Sequence, residues 1–244
     1  LQVHDGARLW ARGRDTARVV FTARDPARGW GGILLSGAPA GPSYLTNALL
    51  EYVRVDGFAL YTDQQHAAYV DSSVIRQSGR AVYFSADGSR LIRSRVDTTT
   101  NRAAPAVSLG ASGFEHSTIR GAAGIGLQVT APGALLLGGR IEGSGGVGLH
   151  VWADSISPYS RAVRVVGGKT HAADLYMPAM VRLYPTPALQ DSLAGNARDE
   201  VVLTGSTLRT ALTVGSRITL RAGERARKLH ETRQSREITN AILN

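Results

Sequence analysis

Between residues 44 and 151 short apolar runs alternate with clusters of Gly, Ser, Asn and Asp, and the runs return at a nearly fixed interval. An apolar residue, followed in most copies by a polar one and then a glycine, recurs at Val53 (VRVDG), Ile75 (IRQSG), Val96 (VDTTTN), Ile119 (IRGAAG) and Ile141 (IEGSG). The steps are 22, 21, 23 and 22 residues. A second run follows each turn, at residues 58–61, 81–84, 106–109, 125–129 and 147–151. A third is marked by Tyr69, Leu91, Phe114 and Leu136, spaced 22, 23 and 22. Runs of three to five residues cannot bury a face alone. Stacked in register about 4.8 Å apart, they pair every backbone group and line up their inward side chains.

The pattern therefore predicts an all-β chain, a right-handed parallel β-helix with about 22 residues per coil and three strands in each. An antiparallel sandwich would also show many short strands but would not hold the step so evenly. Residues 1–223 are read as this solenoid, with an irregular excursion at about 169–200, where Pro, Gly and Tyr interrupt the pattern. Strand chemistry returns at 201–223, either as a closing strand pair or as the start of another array. The first coil, 1–23, has no cap before it. An uncapped sheet end invites strand addition, so a neighbouring domain or partner protein is expected there. A chain that begins at Leu1 rather than Met is read as processed or cut from something longer.

The tail, 224–244, is different in kind. It contains helix-forming residues, no Gly or Pro, and a modest apolar face including Leu229, Ile238 and Ile242. It is expected to be a basic helix that caps the solenoid or docks into a partner through Arg225, Arg227, Lys228, Leu229, Arg233, Arg236, Ile238 and Ile242.

The segment "ARVVFTARDPARGWGGILLSG", 17–37, followed by "LLEYVRVDG", 49–57, resembles the entry coil of a family of secreted bacterial right-handed parallel β-helix proteins of the "VxFT…WGGI" type. That resemblance covers 1–151 best. It implies secretion, to the cell surface, the periplasm or beyond, and adhesive or carbohydrate-associated roles. Its shared motif is structural rather than catalytic. Trp30 is then a packing residue at a coil corner, with Gly31 and Gly32 permitting the bend.

Net charge is +9, and all but Lys169 and Lys228 of the cations are Arg. No nucleic-acid-binding motif accompanies the charge. At a 22-residue step, Arg54, Arg76 and Arg120 would stand in one column and form a basic stripe suited to an anionic polysaccharide, an acidic protein or a membrane surface, or simply a solvated face. Two longer turns offer further binding candidates: Asp97, Asn101 and Arg102 on one, and Trp152, Asp154 and Tyr159 on the other.

Catalytic and cofactor signals are weak. With no cysteine there is no disulfide or thiolate metal site, and the six histidines form no close pair. His66, His116 and His150 could still meet if coils brought them together. "GSGGVG", 143–148, fits a dinucleotide loop but precedes a strand pattern, and "GGKT", 167–170, lacks the first phosphate-loop glycine. No cofactor or metal is expected. Enzymes of this fold that cleave polysaccharides need carboxylates on adjacent coils, and Asp56, Asp97 and Glu142 do not fall at one matching position of neighbouring coils. The sequence thus points to a non-catalytic structural or binding scaffold presenting loops and tail to a partner protein or acidic glycan. A polysaccharide lyase or glycoside hydrolase is the alternative. No apolar run is long enough to span a bilayer.

Overall fold

The structure is a computed structural model that describes residues 1–152, Ser157 and the strands Arg164–Val166, Ala173–Tyr176, Val201–Thr204, Ile218–Ala222 and Arg225–Leu229. It is a parallel β-solenoid with three strands per turn. The first sheet runs through β1 (Gln2–Val3), β4 (Ile33–Leu35), β7 (Phe58–Thr62), β10 (Arg80–Phe84), β13 (Val107–Leu109), β16 (Leu127–Val129) and β19 (Leu149–Trp152). The second comprises β2 (Trp10–Arg12), β5 (Ser43–Thr46), β8 (Ala68–Asp71), β11 (Arg90–Ile92), β14 (Gly113–Glu115) and β17 (Leu135–Leu137). The third comprises β3 (Val19–Phe21), β6 (Ala48–Glu51), β9 (Val74–Ser78), β12 (Arg95–Thr99), β15 (Thr118–Ala122), β18 (Arg140–Glu142) and β20 (Arg164–Val166).

Register turns the sequence period into columns of like side chains. One inward column is Ile33, Leu60, Val82, Val107, Leu127 and Leu149. Another is Leu45, Val70, Leu91, Phe114 and Leu136, and a third is Leu50, Ile75, Val96, Ile119 and Ile141. Nearly all of these side chains are fully buried, and each contributes about 1.5–3 kcal/mol by leaving water.

Two anchors of the sequence reading shift. Ile75 pairs with Leu50, not Val53, so the first step is 25 residues rather than 22. Val53 instead bridges Trp30. In the second sheet the inward partner of Leu91 is Val70, and Tyr69 points outward. A one-residue displacement in a strand exchanges its two faces.

The corners between the second and third sheets repeat one device. Asn47, Ser72, Arg93, His116 and Gly138 occupy it in successive coils, all at φ between 43° and 60°. This left-handed conformation turns the chain in a single residue. The amide of each non-glycine member reaches up to the next coil: Asn47 to the Asp71 carbonyl, Ser72 to Ile92, Arg93 to Glu115 and His116 to Leu137, at 2.6–3.1 Å. The following position is a buried serine in three coils. Ser73 Oγ accepts the Ala48 N–H, Ser94 Oγ that of Ser73, and Ser117 Oγ that of Ser94, at 3.0–3.1 Å. Each hydroxyl donates in turn to a carbonyl of its own corner, from Asp71, Ile92 or Glu115, at 2.7–2.9 Å. The ladder stops at Gly139, where a Cβ would lie 2.2 Å from the Phe114 ring.

The first sheet continues past β19 with strands on both sides of residues 177–200. β21 (Ala173–Tyr176), β22 (Val201–Thr204) and β23 (Ile218–Ala222) add parallel strands to the first sheet after β19, while 177–200 lies outside the described residues. The helical tail is corrected in its first part. β24 (Arg225–Leu229) is a strand antiparallel to β23, with only Gly223 and Glu224 between the paired Ala222 and Arg225. Helix propensity yields there to an available sheet edge and a two-residue spacing that suits a hairpin. The remainder of the tail lies outside the described residues. No helix of the described residues is long and apolar enough to cross a membrane.

Replacing Ser94 with Ala is expected to leave the Ser73 N–H buried and unpaired, a cost of about 2 kcal/mol. In a thermal melt this corresponds to a fall of about 4–8 °C for a chain of this size. An unchanged midpoint would show that the ladder does not hold the corner.

Candidate functional site

On the outer face of the third sheet the register aligns Glu51, Arg76, Asp97, Arg120 and Glu142 in one column. Charges alternate from coil to coil. Arg76 Nη2 lies 2.7 Å from Glu51 Oε2, and Arg120 Nε 2.7 Å from Glu142 Oε2. Asp97 takes Arg95 of its own strand at 2.6 Å, and Arg140 joins Glu142. The uniform arginine stripe does not form. Arg54, 22 residues before Arg76, stands three residues out of register because the actual step is 25, and Asp97 separates Arg76 from Arg120. Arg54 instead faces Asp56 at 4.0 Å near the surface. Opposite charges directly across strands stabilise the pairing, whereas like charges oppose it.

Outward aromatics form two stacks. In the second sheet Trp10, Tyr44 and Tyr69 follow one another with ring centroids 5.5 and 5.2 Å apart, and the two tyrosines are nearly parallel. The guanidiniums of Arg8 and Arg12 lie 4.7 and 4.4 Å from the Trp10 ring centre. In the first sheet Tyr61 stacks on Tyr83 at 5.0 Å, with Phe58 beside both. In these stacks the tyrosine faces turn toward one another and brace adjacent coils. Trp30 packs against the core, with its indole N–H on the Glu51 carbonyl at 2.7 Å. Of the two glycines after it, Gly32 is the constrained one: φ is +80° and a Cβ would sit 1.8 Å from the Phe58 carbonyl oxygen. Gly31 has room for a side chain.

The remaining candidates separate. Asp97 lies within β12 rather than on the long turn. Asn101 organises that turn, donating to the Val55 carbonyl and accepting the Ala103 N–H, both at 2.9 Å, and Arg102 beside it is exposed. Trp152 lies on β19 in register with Tyr176, while Asp154 and Tyr159 fall outside the described residues. Arg225, Arg227, Lys228 and Leu229 belong to β24, in place of a docking helix, and Arg233, Arg236, Ile238 and Ile242 lie outside the described residues. His116 occupies a corner, His150 meets Gln128 at 3.2 Å, and His66 is buried elsewhere. No group of three metal-ligating side chains forms among the described residues. "GSGGVG" links β18 to β19, and a Cβ at Gly145 would lie 2.1 Å from the Ala123 carbonyl oxygen, so this glycine serves coil packing. "GGKT" lies outside the described residues.

His66 has a structural place. Its Nε2 is 2.7 Å from Ser43 Oγ, which also accepts the Leu9 N–H at 2.8 Å. The His66 side chain is fully buried there. Burial lowers its pKa from 6.5, with the Ser36 carbonyl and the Asp63 carboxylate acting in the opposite direction. The Asp63 carboxylate accepts amide hydrogen bonds from Gly37, Gln65 and His66 at 2.6–3.0 Å. Burial disfavours its ionised form, but these amides outweigh it and its pKa is lowered.

Among the described residues, a concavity of about 470 Å³ lies at the corner between the second and third sheets. Arg18, Arg76, Arg93 and Arg95 line it, over the outward side chains of Leu49 and Val74 and the turn at Ser72 and Ser73. Side chains of Arg76, Arg93 and Arg95 are 45%, 63% and 52% exposed, whereas their partners Glu51, Asp71 and Asp97 are only 11–25% exposed. The guanidiniums thus stand between their carboxylates and the solvent. Arg18 is held by the Ala48 and Ser72 carbonyls at 3.3–3.4 Å. Only Arg76 of this group belonged to the expected stripe. Arg93 and Arg95 join it through a 21-residue step and Arg18 through the 29-residue step between β3 and β6, which the average period conceals.

Fold and site together define a parallel β-solenoid with a basic corner groove on its outside. Comparison with protein-family models, curated proteins and solved structures returned no match.

The buried His66 makes a pH prediction. Its folded pKa is below 6.5, so the unfolded chain binds the extra proton first and stability falls as pH drops below about 6.5. Melting midpoints are expected to decline from pH 7 toward pH 5, and His66→Gln to flatten that decline. An equally steep decline in the variant would assign the effect to other groups.

Proposed function

We propose that the protein is a non-catalytic binding scaffold whose ligand is an acidic polysaccharide held on the outside of the solenoid. The observation that carries this reading is the convergence of four guanidiniums on one open groove. Four arginines face three carboxylates there, leaving positive charge uncompensated. The groove draws Arg18 from the first coil, Leu49 from the second, Val74 and Arg76 from the third, and Arg93 and Arg95 from the fourth. At a strand spacing of about 4.8 Å this is a track about 14 Å long, parallel to the axis, which suits a linear polymer.

The use of the acids supports binding over bond cleavage. Glu51, Asp71, Asp97, Glu115 and Glu142 are each tied to an arginine. A pair of carboxylates acting as acid and base would need one free to hold a proton. In this reading the protein works at the cell surface, in the periplasm or outside the cell, where such polymers lie.

Replacing both Arg18 and Arg95 with Gln is expected to weaken binding to an acidic polysaccharide about tenfold, equivalent to about 1.4 kcal/mol. Binding should also weaken with added salt. Replacing Arg54 and Arg120, which lie outside the groove, is expected to change little. Equal losses from the two double variants, measured by isothermal titration, would refute the groove and indicate general attraction to a basic surface.

A further inference from the structure

We infer that the ligand is an acidic polysaccharide bearing acyl groups beside its acid groups, the acyl groups seated on an outward aliphatic strip; the inference rests on the acidic-polysaccharide reading above. Register stacks Val20, Leu49 and Val74 in one outward column of the third sheet, across the first three coils. Leu49 and Val74 line the groove, and Val20, 52% exposed, continues the strip beyond it. At the strand spacing this strip is about 10 Å long. From the fourth coil on, the same column holds Arg95, Thr118 and Arg140, and the outward column beside it holds Glu51, Arg76, Asp97, Arg120 and Glu142. Three aliphatics thus face outward beside charged and hydroxyl-bearing positions, and their column runs directly into Arg95.

Aliphatic side chains offer nothing that pairs with a hydroxyl. The nearest serines are engaged: Ser72 Oγ donates to Asp71 Oδ1 at 3.0 Å, while Ser73 Oγ accepts the Ala48 N–H and donates to the Asp71 carbonyl. A sugar hydroxyl pressed onto the strip would lose water without gaining a partner, which is costly. The methyl of an acetyl group carries no such cost and gains by leaving water. Acid groups of the same polymer meet the guanidiniums of Arg18, Arg76, Arg93 and Arg95 alongside. Shape disfavours the other anionic partner with an apolar part, a membrane. Leu49 and Val74 lie inside a concavity between arginines, which a single polymer chain enters and a flat bilayer does not.

The test compares polygalacturonate with the same preparation after partial chemical O-acetylation, which keeps its length and charge, by titration calorimetry at fixed ionic strength. The acetylated preparation is expected to bind about fourfold more tightly or better, the gain from burying one methyl. Combining Leu49→Thr with Val74→Thr, substitutions that suit a strand, should bring the two preparations to equal affinity. Arg95→Gln should weaken both by the same factor, with circular dichroism verifying the fold of each variant. Equal binding of the two preparations to the unsubstituted protein would overturn the acyl assignment while leaving acidic-polymer binding intact. A preference for the acetylated polymer that survives the paired threonine substitutions would also overturn it. So would tighter binding to vesicles of phosphatidylglycerol and phosphatidylcholine than to either polymer. Absence of binding to both polymers would remove the assignment together with the function on which it rests.

Discussion

Everything in this molecule depends on keeping the backbone hydrogen-bonded through the corners of each coil. Between strands a chain normally meets water; here it turns within one residue against a buried interior, where an unpaired amide is costly. The corner answers with a left-handed residue whose N–H reaches the next coil, followed by a serine that accepts the amide below and donates to its own turn. With the corner satisfied, the strands on either side can keep their register. Register in turn stacks Leu50, Ile75, Val96, Ile119 and Ile141 and aligns the outward charges.

The same register decides what the surface can be. Neighbouring strands put identical positions about 4.8 Å apart, so any outward residue type becomes a column. A column of arginines alone would repel itself. The protein alternates Glu51, Arg76, Asp97, Arg120 and Glu142 instead, and spends outward tyrosines on one another. Where this column borders the corner at Ser72 and Arg93, Arg18, Arg93 and Arg95 join Arg76 and four guanidiniums gather.

Much of the fold was legible because burial imposes periodicity: Ile75, Val96, Ile119 and Ile141 were read in their true column. Misplacements came where several residues could fill the apolar role. Val53 and Leu50 are both apolar, and only pairing with Ile75 distinguishes them. Tyr69 was read one position away from the inward Val70 for the same reason. The candidate site was less legible. An average step hides the 21- and 29-residue steps that bring Arg93, Arg95 and Arg18 beside Arg76. The strand at Arg225–Leu229 was hidden because local propensity carries no information about a waiting edge.

One consequence concerns the groove's position across four coils. In a stacked array each coil touches only its neighbours, so stability is a chain of local couplings and unravelling can begin at a terminal unit. An occupant that touches the first coil through Arg18 and the fourth through Arg93 and Arg95 adds a coupling that skips over nearest neighbours. It would act as a brace along the rod, making these coils open together or not at all, and would resist peeling under a load applied by an attached polymer.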